Sequence, residues 1–271
     1  MRGVGFRGAI PGRGQGMRKK VLRIKQSVVR VAARKAEGLE VGTGFLVAAG
    51  SYHGYAVTCR HCVEGCQRCD IWVSFSDGKE WPVSHVTPHS STDKDVALLS
   101  LDNPLEEEQR WGAEQDVRYP PLELGSWTEV DEGEEVLFCG YPMGLRSAFT
   151  QRAMVSSKTM TGPGGEQVRC IWLDGSINAG NSGGPLTSIE SERVVGVVST
   201  RIGGLSEKLM ESMRFMREFR GVAIGLKQGG ETVDPFKVLA ESLETLHNLA
   251  SIGIGAAIDI DAAKELLDEV S

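Results

Sequence analysis

The chain has 271 residues, of which 41% are hydrophobic and 24% charged, a composition typical of a globular protein with a sizeable core. No apolar run approaches the roughly 18 residues of a membrane-spanning helix, so the sequence predicts no membrane span. The net charge of −6 is uneven, because residues 1–36 hold eleven of the 30 basic residues and no acidic one.

The basic amino end, residues 1–25, is rich in glycine and arginine and lacks the apolar segment of a secretory signal. We predict a solvated, disordered tail here. Sequence upstream of a true start at Met17 and an organelle transit peptide are the alternatives. Contact with nucleic acid or anionic lipid would be electrostatic only, since no recognisable nucleic-acid module follows. Without a secretory signal, we expect a cytoplasmic protein.

Short strands punctuated by turns follow in residues 26–120. Residues 76–79, Ser-Asp-Gly-Lys, have the composition of a hairpin turn between two strands. A polar linker covers residues 103–121, and a second strand-rich region begins at Leu122. Strands at this spacing, with no helical pattern between them, indicate an all-β fold of the barrel or sandwich type.

A serine among glycines lies in the second region, where residues 180–185 read Gly-Asn-Ser-Gly-Gly-Pro. Glycine permits tight bends, so the turn could leave the hydroxyl of Ser182 uncovered as a nucleophile. The backbone N–H groups of Gly180 and Ser182 could converge on one point and form an oxyanion hole.

A serine nucleophile needs a base and a group that orients the base. His61 ends one apolar strand, and Asp95 opens another. We predict His61 as the base and Asp95 as the acid. Asp95 is preferred over Asp93 because it directly abuts the apolar strand that would fix it. The other histidines, His53, His85 and His89, are interpreted as solvated.

These motifs, in the order His, Asp, Ser, resemble those of the trypsin-like serine proteases, and specifically of their HtrA (Deg) branch. The resemblance extends to Gly-Thr-Gly-Phe at residues 42–45 and to Gly-Tyr-Pro-Met-Gly-Leu at residues 140–145. It implies a two-lobed double β-barrel, with one lobe in residues 26–120 and the other in residues 121–271. Its final strand would be followed by a closing helix at residues 260–270.

The resemblance also implies an activity, a serine endopeptidase that cleaves polypeptide substrates through an acyl-enzyme, with no cofactor and no metal. Ser199, Thr200 and Arg201 would pair with the substrate backbone, and Ser176 and Ile177 would line a pocket for small or aliphatic side chains. Arg201 could instead narrow this pocket or favour an acidic side chain. Assembly into a trimer is a habit of the family. The alternative is a peptide-binding or chaperone-type module on the same fold with little proteolysis.

Residues 203–251 depart from the family pattern as an insertion with two helical patterns, one over residues 206–220 and one that begins at Asp234. They are interpreted as a helical hairpin packed on the second barrel, or as a lid or oligomer contact that controls the cleft. Asp234 and His247 also follow Ser182 in the order of an α/β-hydrolase. That reading is disfavoured because a strand, not a helix, is predicted after the serine.

Four cysteines, Cys59, Cys62, Cys66 and Cys69, fall in eleven residues with a spacing that superficially suggests zinc. The central gap is short for a tetrahedral site, and the candidate base lies inside the first pair. Reduced thiols are favoured over a disulfide and over a metal site, in keeping with a reducing compartment.

Overall fold

Two closed antiparallel β-barrels form the framework of the protein, seen in a computed structural model. The structure describes residues 13–36, 38–49, 52–101, 119–160, 167–199, 226–228, 231–233, 238–239, 242 and 254–270. Within these ranges, no helix is long and apolar enough to cross a membrane.

The first barrel contains six strands. In chain order they are β1 (Val28–Lys35), β2 (Gly38–Ala49), β3 (Tyr52–Thr58), β4 (Ile71–Ser74), β5 (Glu80–Pro88) and β6 (Ala97–Leu101). Their order around the barrel is β1-β2-β3-β6-β5-β4, and the pairing of β4 with β1 closes it. The predicted hairpin turn at residues 76–79 is confirmed, since it connects β4 to β5 with Gly78 at a φ of 83°.

The second barrel repeats this plan. Its strands are β7 (Glu135–Gly140), β8 (Phe149–Thr159), β9 (Cys170–Leu173), β10 (Pro185–Ser188), β11 (Val194–Val198) and, later in the chain, β14 (Gly255–Asp259). They run in the order β10-β11-β14-β9-β8-β7, and β7 pairs with β10. The predicted all-β double barrel is therefore confirmed.

Strand β11 shows why some segments read as continuous apolar runs instead of alternating ones. Val195 and Val198 pack in the interior of the second barrel. Val194 and Val197 belong to a larger apolar cluster that continues into the first barrel. Because both faces of the strand are buried, every side chain on it is apolar.

The amino end differs from the predicted disordered tail. Residues Arg13–Ser27 form a helix, α1, that leads directly into β1. Ile24 is buried, and Lys20 pairs with Glu192 on the second barrel while its Nζ donates to the carbonyl of Ile189. The buried side chain of Ile24 and the ion pair of Lys20 with Glu192 fix this basic segment against the protein. Composition alone does not reveal such contacts.

The closing helix lies at Asp261–Val270 and is labelled α3, after a one-turn helix α2 (Arg60–Val63) in the first lobe. Its buried face is Ala262, Ala263, Leu266 and Leu267, which pack into the cluster shared with the first barrel. The chain therefore ends against the lobe in which it began, not on its own barrel alone.

A polar contact fixes α3 to the loop before β6. The Nε2 of His89 lies 2.8 Å from Glu265, and Nζ of Lys94 lies 2.6 Å from the same carboxylate. Nδ1 of His89 accepts the N–H of Ser91, so Nε2 carries the proton and donates. The prediction that His89 is solvated is wrong, because its ring is buried between these partners, whereas His85 is exposed as expected.

Only part of the predicted insertion at residues 203–251 lies within the described residues. It contains a two-stranded hairpin, β12 (Leu226–Gln228) with β13 (Glu231–Val233), which the sequence did not predict. Val238, Leu239 and Ser242 are helical, inside the second predicted helix. The first predicted helix, Asp234, His247 and most of the linker at residues 103–121 lie outside the described residues.

Candidate active site

The predicted base lies just beyond a strand of the first barrel. Strand β3 ends at Thr58, Cys59 is extended, and His61 lies on the single turn of α2. The N–H of Arg60 donates to the carbonyl of Asp95 over 3.3 Å, so the helical turn is tied to the segment that enters β6. His61 is therefore part of a helical turn and not, as predicted, the end of the strand.

Asp95 holds His61 at two points. Its Oδ1 accepts the backbone N–H of His61 at 2.9 Å, and its Oδ2 lies 2.6 Å from Nδ1 of the ring. Both residues are buried. This pairing fixes the tautomer with the proton on Nδ1, which leaves Nε2 as an acceptor for a proton.

Ser199 supplies a third donor to the same carboxylate. Its hydroxyl donates to Oδ2 of Asp95 over 2.8 Å across the two lobes. Burial alone would raise the pKa of Asp95, but the hydrogen bonds from His61 and Ser199 outweigh it and hold the pKa below its ordinary value. The acid is thus kept ionised at neutral pH although it is buried.

The turn that carries Ser182 packs its backbone against the first barrel. The carbonyl of Ser182 accepts the N–H of Thr43 over 2.8 Å, and the N–H of Gly183 donates to Val198 over 2.8 Å. Gly183 has a φ of 87°, and a side chain there would bring its Cβ within 2.0 Å of the carbonyl of Thr43. Only glycine satisfies both conditions, which explains its place directly after the serine.

Gly180 is fixed from two sides. The carbonyl of Ala179 accepts the N–H of Met143 over 2.6 Å, and the carbonyl of Gly180 accepts the hydroxyl of Thr43 over 2.6 Å. In a trans peptide the N–H lies opposite the preceding carbonyl, so the N–H of Gly180 faces away from Met143. A Cβ at Gly180 would lie 2.2 Å from the carbonyl of Tyr141, so this position also requires glycine.

The predicted residues of the site come together at the boundary between the lobes. Sγ of Cys62, next to His61, lies 3.8 Å from the carbonyl of Ser182. A Cβ at Gly183 would lie 2.8 Å from the backbone nitrogen of Cys59, two residues before His61. Residues that flank His61 therefore touch residues in the serine turn, while Asp95 contacts His61 directly.

The residues predicted to bind substrate have different positions. Ser176 is half-buried, and Ile177 is buried in the core of the second barrel, where its Cδ1 would meet a Cβ at Gly255 at 2.4 Å. Ser199 directs its hydroxyl to Asp95 and its N–H to the carbonyl of Ala256. Thr200 and Arg201 lie outside the described residues.

All six cysteines are free thiols. Among the described residues, the groups of potential metal ligands combine His61 with Cys62 and Glu40, or with Cys59 and Asp95. Cys66 and Cys69 belong to neither group, so the four cysteines with zinc-like spacing do not converge on one point.

The thiols beside the base change its ionisation. A hydrogen bond from Cys59 lowers the pKa of Cys62 against the opposing effect of burial, and the charge of His61 lowers it further. Burial lowers the pKa of His61, but Cys62 and Asp95 favour the protonated ring and raise the net pKa above its ordinary value of 6.5.

Sequence reasoning missed the polar roles of two residues. Thr43 links both halves of the site, since its hydroxyl donates to Gly180 and accepts the N–H of Tyr141 at 3.0 Å. Its place in the Gly-Thr-Gly-Phe motif was the available signal. Ser199 contacts Asp95 from 104 residues away, and no local pattern announces such a contact.

Two antiparallel barrels, with a histidine and aspartate pair facing a glycine-flanked serine, define the class of the trypsin-like peptidases. The family model of the trypsin-like peptidase domain matches residues 42–197, and the chain belongs to this family. The similarity to the relatives described next supports the resemblance to the HtrA branch.

The relatives named serine endoproteases are similar over part of their length. The chain is 34% identical to a probable periplasmic serine endoprotease DegP-like of Halomonas elongata, over 62% of this chain and 31% of the relative. It is 35% identical to a protein of the same description from Pseudomonas putida, over 63% of this chain and 32% of the relative. The chain thus spans about a third of the length of these curated relatives.

A solved structure is similar to the fold as a whole. The HtrA-type protease AlgW with tripeptide superimposes with a TM-score of 0.60 over 93% of this chain and 62% of that one, at 21% identity. This likeness shows the shared double barrel.

The comparisons contradict one prediction. The relatives are named periplasmic, so the cytoplasmic location expected from the sequence is wrong. That expectation rests on the lack of a recognisable secretory signal in residues 1–25 and on cysteines interpreted as reduced thiols, and neither feature specifies a compartment.

Proposed function

We propose that the chain is a serine endopeptidase that hydrolyses peptide bonds of polypeptide substrates through Ser182, His61 and Asp95. Neutral His61 takes the proton of Ser182 at Nε2, and Ser182 attacks the carbonyl carbon of the peptide bond. His61 then protonates the leaving amine, and water releases the acyl group from Ser182 by the same route in reverse.

The observation that carries this proposal is the buried pair of Asp95 and His61 set against the serine turn. The 2.6 Å contact at Nδ1 leaves Nε2 as the only basic nitrogen of the ring. The contact between Cys62 and the carbonyl of Ser182 supports an approach of the hydroxyl to that nitrogen. Asp95 stabilises the imidazolium that forms.

The oxyanion of the tetrahedral intermediate would be held by the N–H groups of Gly180 and Ser182. Support comes from the peptide bond between Ala179 and Gly180. Its carbonyl accepts the N–H of Met143, so its N–H, which belongs to Gly180, points the opposite way. Donors fixed in place before the reaction stabilise the developing charge without reorganisation.

The remaining site predictions belong to the same proposal. The backbone of Ser199, Thr200 and Arg201 would bind the substrate as an added strand, and Ser176 and Ile177 would border the pocket for its side chain. The names of the relatives support a periplasmic location. A trimer stays a prediction of the family resemblance, which the mass of the protein in solution would test.

The test is labelling of the purified protein with a fluorophosphonate, alongside hydrolysis of a casein or peptide-library substrate. Wild type should be labelled stoichiometrically, and Ser182→Ala should lose both the label and roughly 10⁶-fold in turnover. Peptide binding by an unlabelled, inactive wild type would instead favour the peptide-binding or chaperone-type module. Labelling that persists in Ser182→Ala would refute the assignment of the nucleophile.

A further inference from the structure

Three different kinds of metal ligand converge beside the base. A carboxylate oxygen of Glu40, a ring nitrogen of His61 and Sγ of Cys62 all lie within 4.8 Å of one another. Glu40 is on β2 and half-buried, whereas His61 and Cys62 are on α2 and buried. These groups are brought together by tertiary packing, not by a local sequence motif.

One thiolate, one imidazole and one carboxylate form a ligand set suited to Zn²⁺ and to its spectroscopic substitute Co²⁺. Neighbouring ligand atoms in a tetrahedral zinc site stand roughly 3.3–3.7 Å apart, so side-chain adjustments of about 1 Å would close the group around an ion. Hard cations such as Mg²⁺ and Ca²⁺ prefer sets made of oxygen alone. Three protein ligands leave a fourth position for water.

The contact of His61 with Asp95 is one that metal-bound histidines commonly make. Its Nδ1 lies 2.6 Å from Asp95, so the nitrogen that is left for an ion is Nε2. Metal-bound histidines commonly donate their other N–H to a carboxylate, which fixes the ring and raises its basicity. The second group of potential ligands, Cys59, His61 and Asp95, is less favourable because an ion there would have to displace this contact.

The space around the thiol depends on a glycine. A Cβ at Gly42 would lie 2.5 Å from Sγ of Cys62, so any side chain at this position would press on the sulfur. Lys35 opposes a cation, since its ammonium group pairs with Glu40 and also donates to the carbonyl of His61 over 2.6 Å. An incoming ion would have to take Glu40 from Lys35.

We propose that Glu40, His61 and Cys62 form a binding site for one thiophilic divalent cation of the Zn²⁺ type, and that its occupancy inhibits the enzyme. On binding, the thiol of Cys62 releases its proton to solvent and bonds to the ion as a thiolate, with no change of oxidation state. The ion takes the lone pair of Nε2 that a base needs. The inhibitory part rests on the proposed function, and the binding part does not.

Binding is tested by titration of the reduced, full-length protein with Co²⁺ in the presence of a phosphine reductant. A thiolate-to-cobalt charge-transfer band in the near ultraviolet, with intense visible bands of a tetrahedral ion, is expected at one ion per chain. Cys62→Ser should abolish the charge-transfer band. Cys69→Ser, which removes an exposed thiol outside the group, is the matched control and should keep it.

Two further variants change the affinity without removing the sulfur. Glu40→Gln should weaken binding at least tenfold, since even partners outside the ligand shell contribute roughly 10–100-fold. Lys35→Met should tighten it, because the competing ammonium group is lost. The site would be overturned if the band were absent in wild type or persisted in Cys62→Ser. It would also be overturned if the band were lost in Cys59→Ser or Cys69→Ser but retained in Cys62→Ser, or if Glu40→Gln bound the ion with the affinity of wild type.

Inhibition is tested by Zn²⁺ titration of peptide hydrolysis, with each variant compared with its own metal-free rate. Wild type should lose more than 90% of its rate at saturation and recover it on addition of a chelator, and Glu40→Gln should need at least tenfold more Zn²⁺. Full activity at a Zn²⁺ concentration that fills the site would overturn the inhibitory part. A cobalt band without any metal-free hydrolysis would leave the site standing and refute the proposed function.

Discussion

Replacement of Ser199 by alanine tests how much the donors around Asp95 contribute to the site. The substitution removes a buried 2.8 Å hydrogen bond to Oδ2, the oxygen that also lies 2.6 Å from Nδ1 of His61. A hydrogen bond to a charged group contributes about 1.5–3 kcal/mol. Asp95 keeps both contacts with His61, so we expect the lower end of that range. A barrier raised by about 1.4 kcal/mol is a tenfold fall in kcat.

The assay is steady-state hydrolysis of a peptide substrate, with kcat and KM determined separately and near-ultraviolet circular dichroism as a check of the fold. We expect kcat of Ser199→Ala to fall about tenfold with KM changed less than twofold, because the lost contact orients the base and not the substrate. Ser188→Ala is the matched control. It removes another buried serine, whose hydroxyl accepts two backbone N–H groups in the turn after β10 and makes no hydrogen bond to Asp95. It should lower stability and keep kcat.

The same variant has a pH signature in stability. The lowered pKa of Asp95 stabilises the fold above the ordinary value of 3.8, and this stabilisation is lost as the pH falls through the lower folded-state pKa. The deficit in Tm of Ser199→Ala should therefore be present at pH 7 and shrink in acid. A kcat within twofold of wild type in a folded variant, or a large rise in KM at constant kcat, would refute the positioning role of the hydroxyl.

Three further predictions concern backbone geometry, buried polarity and pH. Gly183→Ala should lower the free energy of unfolding by more than about 4 kcal/mol or prevent folding. The control Gly78→Ala, at a similar φ of 83° but with open space around it, should lower it by only about 1–2 kcal/mol. Equal losses of stability in chemical denaturation would contradict the clash with Thr43. Thr187→Val should stabilise the protein by about 1 kcal/mol, since the buried hydroxyl has no hydrogen-bond partner among the described residues, and a lower denaturation midpoint would contradict this. Peptide hydrolysis should rise with pH through a midpoint above 6.5, because the base must be neutral and the pKa of His61 is raised; a midpoint at or below 6.5 would contradict it.

The main features of the fold and the identity of the candidate triad could be read from short motifs. Gly180 and Gly183 have positive φ, a local backbone requirement that is visible in the sequence as glycine, although the close approaches of Tyr141 and Thr43 to them are not. The apolar segments near His61 and Asp95 are likewise local, and they form the neighbouring strands β3 and β6, just beyond which His61 and just before which Asp95 lie. A site that depends on unusual backbone conformations can therefore be recognised from glycines at fixed positions in the sequence.

Contacts between distant residues leave no such pattern. His89 reads as a loop residue, and its burial depends on Glu265, 176 positions away. The helix α1 reads as a disordered basic tail because its partners, Glu192 and the carbonyl of Ile189, belong to the second barrel. Side chains matched only by tertiary packing can be identified only once the two barrels are in place.

The hydrogen bond from the N–H of Thr43 to the carbonyl of Ser182 has a consequence for how the site is assembled. The turn that carries Ser182 accepts a hydrogen bond from Thr43 on a strand of the first lobe, and Asp95 in the first lobe accepts one from Ser199 in the second. Separation of the two lobes would break both of these hydrogen bonds, so the site and the contact between the lobes depend on each other. His61 and Asp95 belong to the first lobe and Ser182 to the second, so a chain in which only the first lobe has formed holds two of the three proposed catalytic residues. The proposed triad is therefore complete only once the two lobes have docked against each other.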